Sequence, residues 1–367
     1  MEATMEVIPA PLRVGLCGSK KVATGAIYWG FASLGLLIAS LGPALLGLQR
    51  QTGASAEELS FVFTLRSLGY LLGSAGSGFL LDKFPKSGTR GLALCLFLTA
   101  TCTGLIPFVG SVVALGALCS TQGAAMGVLD TVGNVLIIFL HGENAGPWMQ
   151  GLHFVFAVGA LSSPLFVRAS MALSETSIDA SAAFYLFAAI TSVGGVWFSF
   201  VPTPPPRKTE EHNNAGNDSS SGSLDRSKTC CGVCSIRRGI ILTTGALLGL
   251  YVGAETGFGG FVLLFSQNQF GSTEAAGQYM NAVFWGCIAI GRGAAIPISL
   301  WVSVTKQLWT DVFVSLAGWA MLVLSIVAES EGLLWVGCAV YGLGMASVFP
   351  CAVMQAEAYV DLSGRAV

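Results

Sequence analysis

The sequence predicts an all-α membrane protein: a six-helix N-terminal half, a polar linker and an incomplete four-helix C-terminal half. Three observations predict it. Ten long apolar stretches run through the 367 residues, separated by short polar ones. Only 10% of the residues are charged, against about 25% in a soluble domain, too few to clothe a water-facing surface. The stretches do not alternate apolar and polar positions, as strands of a membrane barrel would. About 20 apolar residues cross the hydrocarbon as a helix, which satisfies its own backbone there.

Residues 1–21 are a mixed tail, and the long apolar run behind it does not fit a cleavable signal peptide. Spans are expected near Val22–Leu48, Leu59–Leu81, Gly91–Val109, Val112–Leu140, Trp148–Met171 and Ala180–Val201, a bundle over residues 22–201. Pro202–Lys228 is rich in Pro, Ser, Asn and charge and reads as disorder, so residues 202–236 are assigned to a linker. Residues 237–367 hold four further spans, near Gly239–Ser266, Ala275–Leu300, Leu308–Ala328 and Leu333–Val360. Gly69 and Gly73 sit one turn apart, as do Gly123 and Gly127. Small residues let membrane helices approach closely, so these pairs are expected to be packing seams; a substrate-facing role is the alternative.

Basic residues in short loops set orientation. Arg13, Lys20 and Lys21, then Lys83, Lys86 and Arg90, the linker from Arg207 to Arg238, Lys306 and Arg365 all fall on one side of alternating spans. The other side has only Arg50 and Arg168. The N-terminus, linker and C-terminus are therefore expected in the cytoplasm, with the plasma membrane as the expected location. Ten cysteines, mostly within spans or on that side, suggest no disulfide framework. The juxtamembrane Cys230, Cys231 and Cys234 suit palmitoylation better than zinc, which needs four ligands; an unmodified cluster fits equally.

Gly78-Phe79-Leu80-Leu81-Asp82-Lys83-Phe84, followed by Gly88 and Arg90, resembles the conserved loop of the major facilitator superfamily, although Pro85 interrupts its basic cluster. The resemblance implies a major facilitator-type helical bundle in which Gly78, Asp82, Lys83 and Arg90 form a gating loop. A solvated, positively charged loop is the alternative. Met126-Gly127-Val128-Leu129-Asp130-Thr131-Val132-Gly133-Asn134, Pro147-Trp148-Met149-Gln150-Gly151-Leu152-His153-Phe154, Glu255-Thr256-Gly257-Phe258-Gly259-Gly260 and Asn281-Ala282-Val283-Phe284-Trp285-Gly286 resemble the sodium-dependent glucose transporter branch, and more distantly fucose–proton symporters. That family has twelve spans where ten are counted here, so the chain is expected to be truncated after the tenth.

A charge at membrane depth is costly and usually functional, which singles out the few polar residues inside spans. Asp130 and Asn134 share a helix face and can pair hydrogen bonds to adjacent sugar hydroxyls. The resemblance places Asp130 where fucose–proton symporters carry a coupling acid. A structural ion pair or helix–helix bond is the alternative for both. Gln150 and His153 offer donors and acceptors to a sugar, or are packing residues. Glu255, amid Gly253, Gly257, Gly259 and Gly260, suggests an unwound helix whose freed carbonyls hold sodium. Alternatively, Glu255 pairs with Arg66 or Arg292. Asn281, Trp285 and Arg292 fall on one stripe, with Trp285 deep enough to stack on a sugar ring. Substrate binding is thus assigned to Asp130, Asn134, Gln150, His153, Asn281 and Trp285, and ion coupling to Glu255 and Asp130. Arg66 and Arg292 are charge partners.

The expected function is secondary transport of a glucose-like sugar by alternating access, coupled to sodium or protons. A transport-inactive homologue acting as sensor, scaffold or partner of a full-length carrier is the alternative. No nucleotide loop, nucleophile or metal-protease motif is present, so no enzyme activity, nucleotide, nucleic acid or resident cofactor is expected beyond a sodium ion, a sugar and the lipid bilayer.

Overall fold

The computed structural model describes residues 10–83, 88–174, 179–202 and 226–360. Nine helical stretches among them are long and apolar enough to cross a membrane. The expected second span is also helical, as α3 (Ala56–Lys83), but Arg66 and its glycines and serines make it less apolar than the rest.

The first half pairs its helices. α1 (Ala10–Ile38) packs on α6 (Ala145–Leu173), α3 on α5 (Val112–His141), and α4 (Gly88–Leu105) on α7 (Ser181–Phe200). In the second half, α8 (Arg226–Phe270) packs on α9 (Glu274–Ile298), and α10 (Val304–Val327) on α11 (Glu331–Met345). The halves meet chiefly where α6 lies on α9.

The glycine pairs are a seam between α3 and α5. A methyl group at Gly69 would strike the Ser120 carbonyl, and one at Gly73 that of Ala124; Gly123 and Gly127 press in turn against the backbone at Arg66 and Tyr70. Backbones this close gain dispersion energy that larger side chains would forbid.

Two expected spans are broken helices. Val22–Leu48 does not continue as one helix: α1 ends at Ile38, residues 39–44 turn, and α2 (Leu45–Thr52) resumes. Pro43 lacks an N–H and its ring opposes a continuous helix. Leu333–Val360 likewise divides into α11 and α12 (Val348–Glu357) at Ala346 and Ser347. The seventh span is the reverse case. Its glycines were expected to unwind it at Glu255, yet α8 is helical without interruption, because intrahelical bonds are hard to forgo in lipid. This helix also reaches back to Arg226, into the stretch drawn from composition as linker, and carries Cys230, Cys231 and Cys234. Extending a formed helix adds one hydrogen bond per residue, so a polar segment can join it. The rest of the linker, 203–225, lies outside the described residues.

Candidate functional site

At both helix breaks an arginine answers the freed carbonyls. The last carbonyls of a helix have no intrahelical donor, and lipid supplies none. Arg66 of α3, buried to 6% exposure, donates from Nη2 to the Ile38 carbonyl (3.0 Å) and from Nη1 to that of Leu37 (3.3 Å), which also accepts from the Ser40 N–H and hydroxyl. Arg292 of α9 donates from Nε to the Ala346 carbonyl at 2.8 Å.

Arg292 also forms a buried ion pair. Its Nη2 lies 2.9 Å from Glu255 Oε1. Of the alternatives weighed for Glu255, the structure forms the pair with Arg292; Arg66 serves α1 instead. The Tyr251 hydroxyl, 3.0 Å from Arg292 Nη2, accepts from it and lies 3.0 Å from Glu255 Oε1 and 2.8 Å from the Met345 carbonyl. Arg292 Nη1 reaches across the halves to the His153 carbonyl of α6 at 3.3 Å, and its guanidinium sits 5.2 Å from the centre of the Phe156 ring. One cation therefore ties α8, α9, the α11–α12 break and α6.

Asp130 of α5 is close enough to Glu255 and Arg292 to feel both charges, with the Tyr70 hydroxyl beside it. Asn134 Nδ2 donates to Asp130 Oδ1 at 3.1 Å, so the two act as one polar face. Gln150 and His153 are buried on α6, the His153 ring 5.9 Å from Phe31 and 4.8 Å from Phe349. Asn281 donates to the Gly259 carbonyl, and Trp285 is buried, its ring steeply inclined to that of Phe156 with the centres 6.4 Å apart.

Five of the six residues assigned to substrate binding keep a buried polar atom with no hydrogen-bond partner: Asn134 Oδ1, Gln150 Oε1, His153 Nε2, Asn281 Oδ1 and Trp285 Nε1. A buried unsatisfied polar atom costs about 1–3 kcal/mol, so such a concentration points to a missing partner. Sequence reasoning passed over Gln278, Tyr70 and Tyr251. Gln278 reaches Met171 Sδ at 3.1 Å across the halves, and its Oε1 is also unpartnered. It lies three residues before Asn281, a spacing that could have found it. A cavity of about 370 Å³ lies elsewhere, lined by residues including Arg50, Gln51, Pro107, Ser181 and Phe184, and none of the candidates opens onto it. Gln150, His153 and Trp285 instead meet side chains of the opposite half, Cys351, Phe349 and Phe156, while Asp130 is half-buried.

In the expected gating loop, Gly78 is buried inside α3, Asp82 and Lys83 occupy its last turn, and Arg90 is exposed in the first turn of α4. The side chains of Asp82 and Lys83, and residues 84–87 between the helices, lie outside the described residues.

Paired six- and four-span bundles, with a polar cluster between them, define a multi-pass membrane protein of carrier architecture. The model of the Major Facilitator Superfamily matches residues 27–367, and the chain belongs to that superfamily, one of membrane carriers rather than enzymes. Sodium-dependent glucose transporter 1 of Rattus norvegicus is 32% identical, over 91% of this chain and 72% of its own length. The Danio rerio protein of the same name is 30% identical over 98% of this chain, which spans 63% of that relative's length. For the Homo sapiens one the values are 29%, 91% and 67%. Among solved structures, the proton:xylose symporter XylE bound to 6-bromo-6-deoxy-D-glucose superposes with a TM-score of 0.68 at 15% identity, covering 95% of this chain and 84% of that one. A mutant form of the nucleoside transporter NupG gives 0.63 at 16%, covering 95% and 85%. These two matches define the fold.

Proposed function

We propose that the protein carries a glucose-like sugar across the plasma membrane by alternating access, coupled to sodium or protons, with its termini and linker in the cytoplasm. The observation that carries this reading is the set of unpartnered buried polar atoms, drawn from α5 and α6 on one side and α9 on the other. A sugar presents adjacent hydroxyls that donate and accept, which suits amide oxygens, an imidazole nitrogen and an indole N–H. The Asp130–Asn134 face would take a hydroxyl pair, and Trp285 would supply an apolar wall. A carboxylate at membrane depth needs compensation, so a proton or a bound cation at Asp130 would favour loading of the site. The Glu255–Arg292 pair already compensates its own charges and frames the site. The names of the rat, zebrafish and human relatives support the sugar and the sodium.

Uptake of labelled glucose into proteoliposomes tests the reading. A sodium gradient should drive it, choline in place of sodium at fixed pH should abolish it, and Asn281→Ala or Gln150→Ala should slow it more than about tenfold, the loss expected when a good hydrogen bond to substrate is removed. Absence of glucose accumulation and exchange under any cation gradient would overturn the sugar assignment. Uptake indifferent to sodium but driven by a proton gradient would move the coupling to protons.

A further inference from the structure

α10 carries a carboxylate that none of the roles above uses. Asp311 lies inside a candidate span. Among the described residues no cationic side chain pairs with it; the buried arginine nearest the α11–α12 break, Arg292, is taken by Glu255. Its neighbours are Ser347, which offers a backbone N–H and a hydroxyl to the carboxylate, and the Cys351 thiol one turn further along α12. Asp311 Oδ2 nevertheless remains buried and unpartnered. So do Gln307 Oε1 and Ser315 Oγ, four residues before and four after it. Positions four apart on a helix are neighbours on one face, about 5–6 Å between Cβ atoms. That face meets the α11–α12 break: Ser315 touches Gly344 so closely that a methyl group there would lie 2.7 Å from Ser315 Oγ.

An anionic carboxylate at membrane depth needs a counter-charge. The free oxygens along this face belong to a carboxylate, an amide and a hydroxyl, and Asp311 and Ser315 lie next to a broken helix. Hard cations prefer such all-oxygen sets, and broken membrane helices are where coupling ions are coordinated.

We propose that Asp311, with Ser315 one turn along the same face of α10 and Ser347 at the α11–α12 break, is a sodium-binding site distinct from the central polar cluster. The path from it to that cluster is one peptide unit long. The Ala346 carbonyl accepts from Arg292, and the N–H of the same peptide, on Ser347, faces Asp311. Sodium drawing on the Asp311 carboxylate weakens its hold on Ser347 and thereby shifts the joint that Arg292 and Tyr251 grip from the other side. This coupling role rests on the carrier reading above; binding of sodium does not.

Thermal unfolding of the purified full chain in detergent, in sodium chloride against choline chloride at constant ionic strength and pH, tests the site. Sodium should raise the midpoint of the wild type. Asp311→Asn keeps an oxygen to accept from Ser347 but loses the charge, and should unfold cooperatively with a sodium affinity weakened more than about tenfold. Ser315→Ala should weaken it less. A wild-type midpoint indifferent to sodium, or an Asp311→Asn protein stabilised as strongly as the wild type, overturns the proposal. A shift with pH alone that Asp311→Asn removes also overturns it, in favour of a proton site. Glucose counterflow, which needs no ion gradient, reads the carrier function separately. Counterflow retained while sodium stabilisation is absent would sink the ion site and leave the carrier standing.

Discussion

Arg292 and Glu255 are each among the costliest groups to take out of water, and they offset one another only as a pair. Arg292 is 1% exposed and Glu255 4%. Removing one partner of a buried pair leaves an uncompensated charge, at a cost of about 3–5 kcal/mol. Arg292→Leu and Glu255→Leu should therefore each lower the unfolding midpoint sharply. The double variant should recover a large part of the loss, and a double-mutant cycle of thermal melts in detergent measures it. Additive losses would mean that the pair is not coupled. Arg292 further holds the Ala346 carbonyl, so its own variant should be the worse of the two.

Among the elements, the α3–α5 seam is the sharpest case of packing set by residue size. Gly73 faces the Ala124 backbone with no room for a side chain, whereas Gly76, one turn on, has nothing within 4 Å of where a methyl group would stand. Gly73→Leu should separate α3 from α5 and prevent a folded, monodisperse protein in size-exclusion chromatography. Gly76→Ala should be tolerated and should raise stability by up to about 1 kcal/mol, the difference in helix propensity. Equal tolerance of the two would dismiss the seam.

For the whole molecule, the question is whether the halves rock about the polar cluster. They touch near the start of α6, where a methyl group at Gly146 would lie 3.0 Å from the Met354 methyl of α12. In the carrier reading this contact must open during each cycle. A G146C/M354C protein, with native cysteines replaced, should be bridged by a short bifunctional methanethiosulfonate and lose uptake, and reductant should restore it. Uptake unchanged by a complete cross-link would argue against rocking at this contact.

The sequence by itself determined the membrane and the helices, and it singled out the candidate polar residues, because those follow from one-dimensional facts. An apolar run of about 20 residues has no stable place but lipid, and a polar residue inside it must face protein. That logic singled out Asp130, Asn134, Gln150, His153, Asn281 and Trp285 as candidates, and applied to Asp311 it would have singled that residue out too. Tertiary structure decided where the helices break and which charges meet. Glycines around Glu255 suggested a broken helix, but glycine only permits a break; the breaks occur where Pro43 opposes a helix and where Arg66 and Arg292 arrive from other helices to satisfy the freed carbonyls. Whether Glu255 would hold a cation or an arginine depended on which side chain crossed from α9, and no local spacing encodes a contact between residues 37 positions apart.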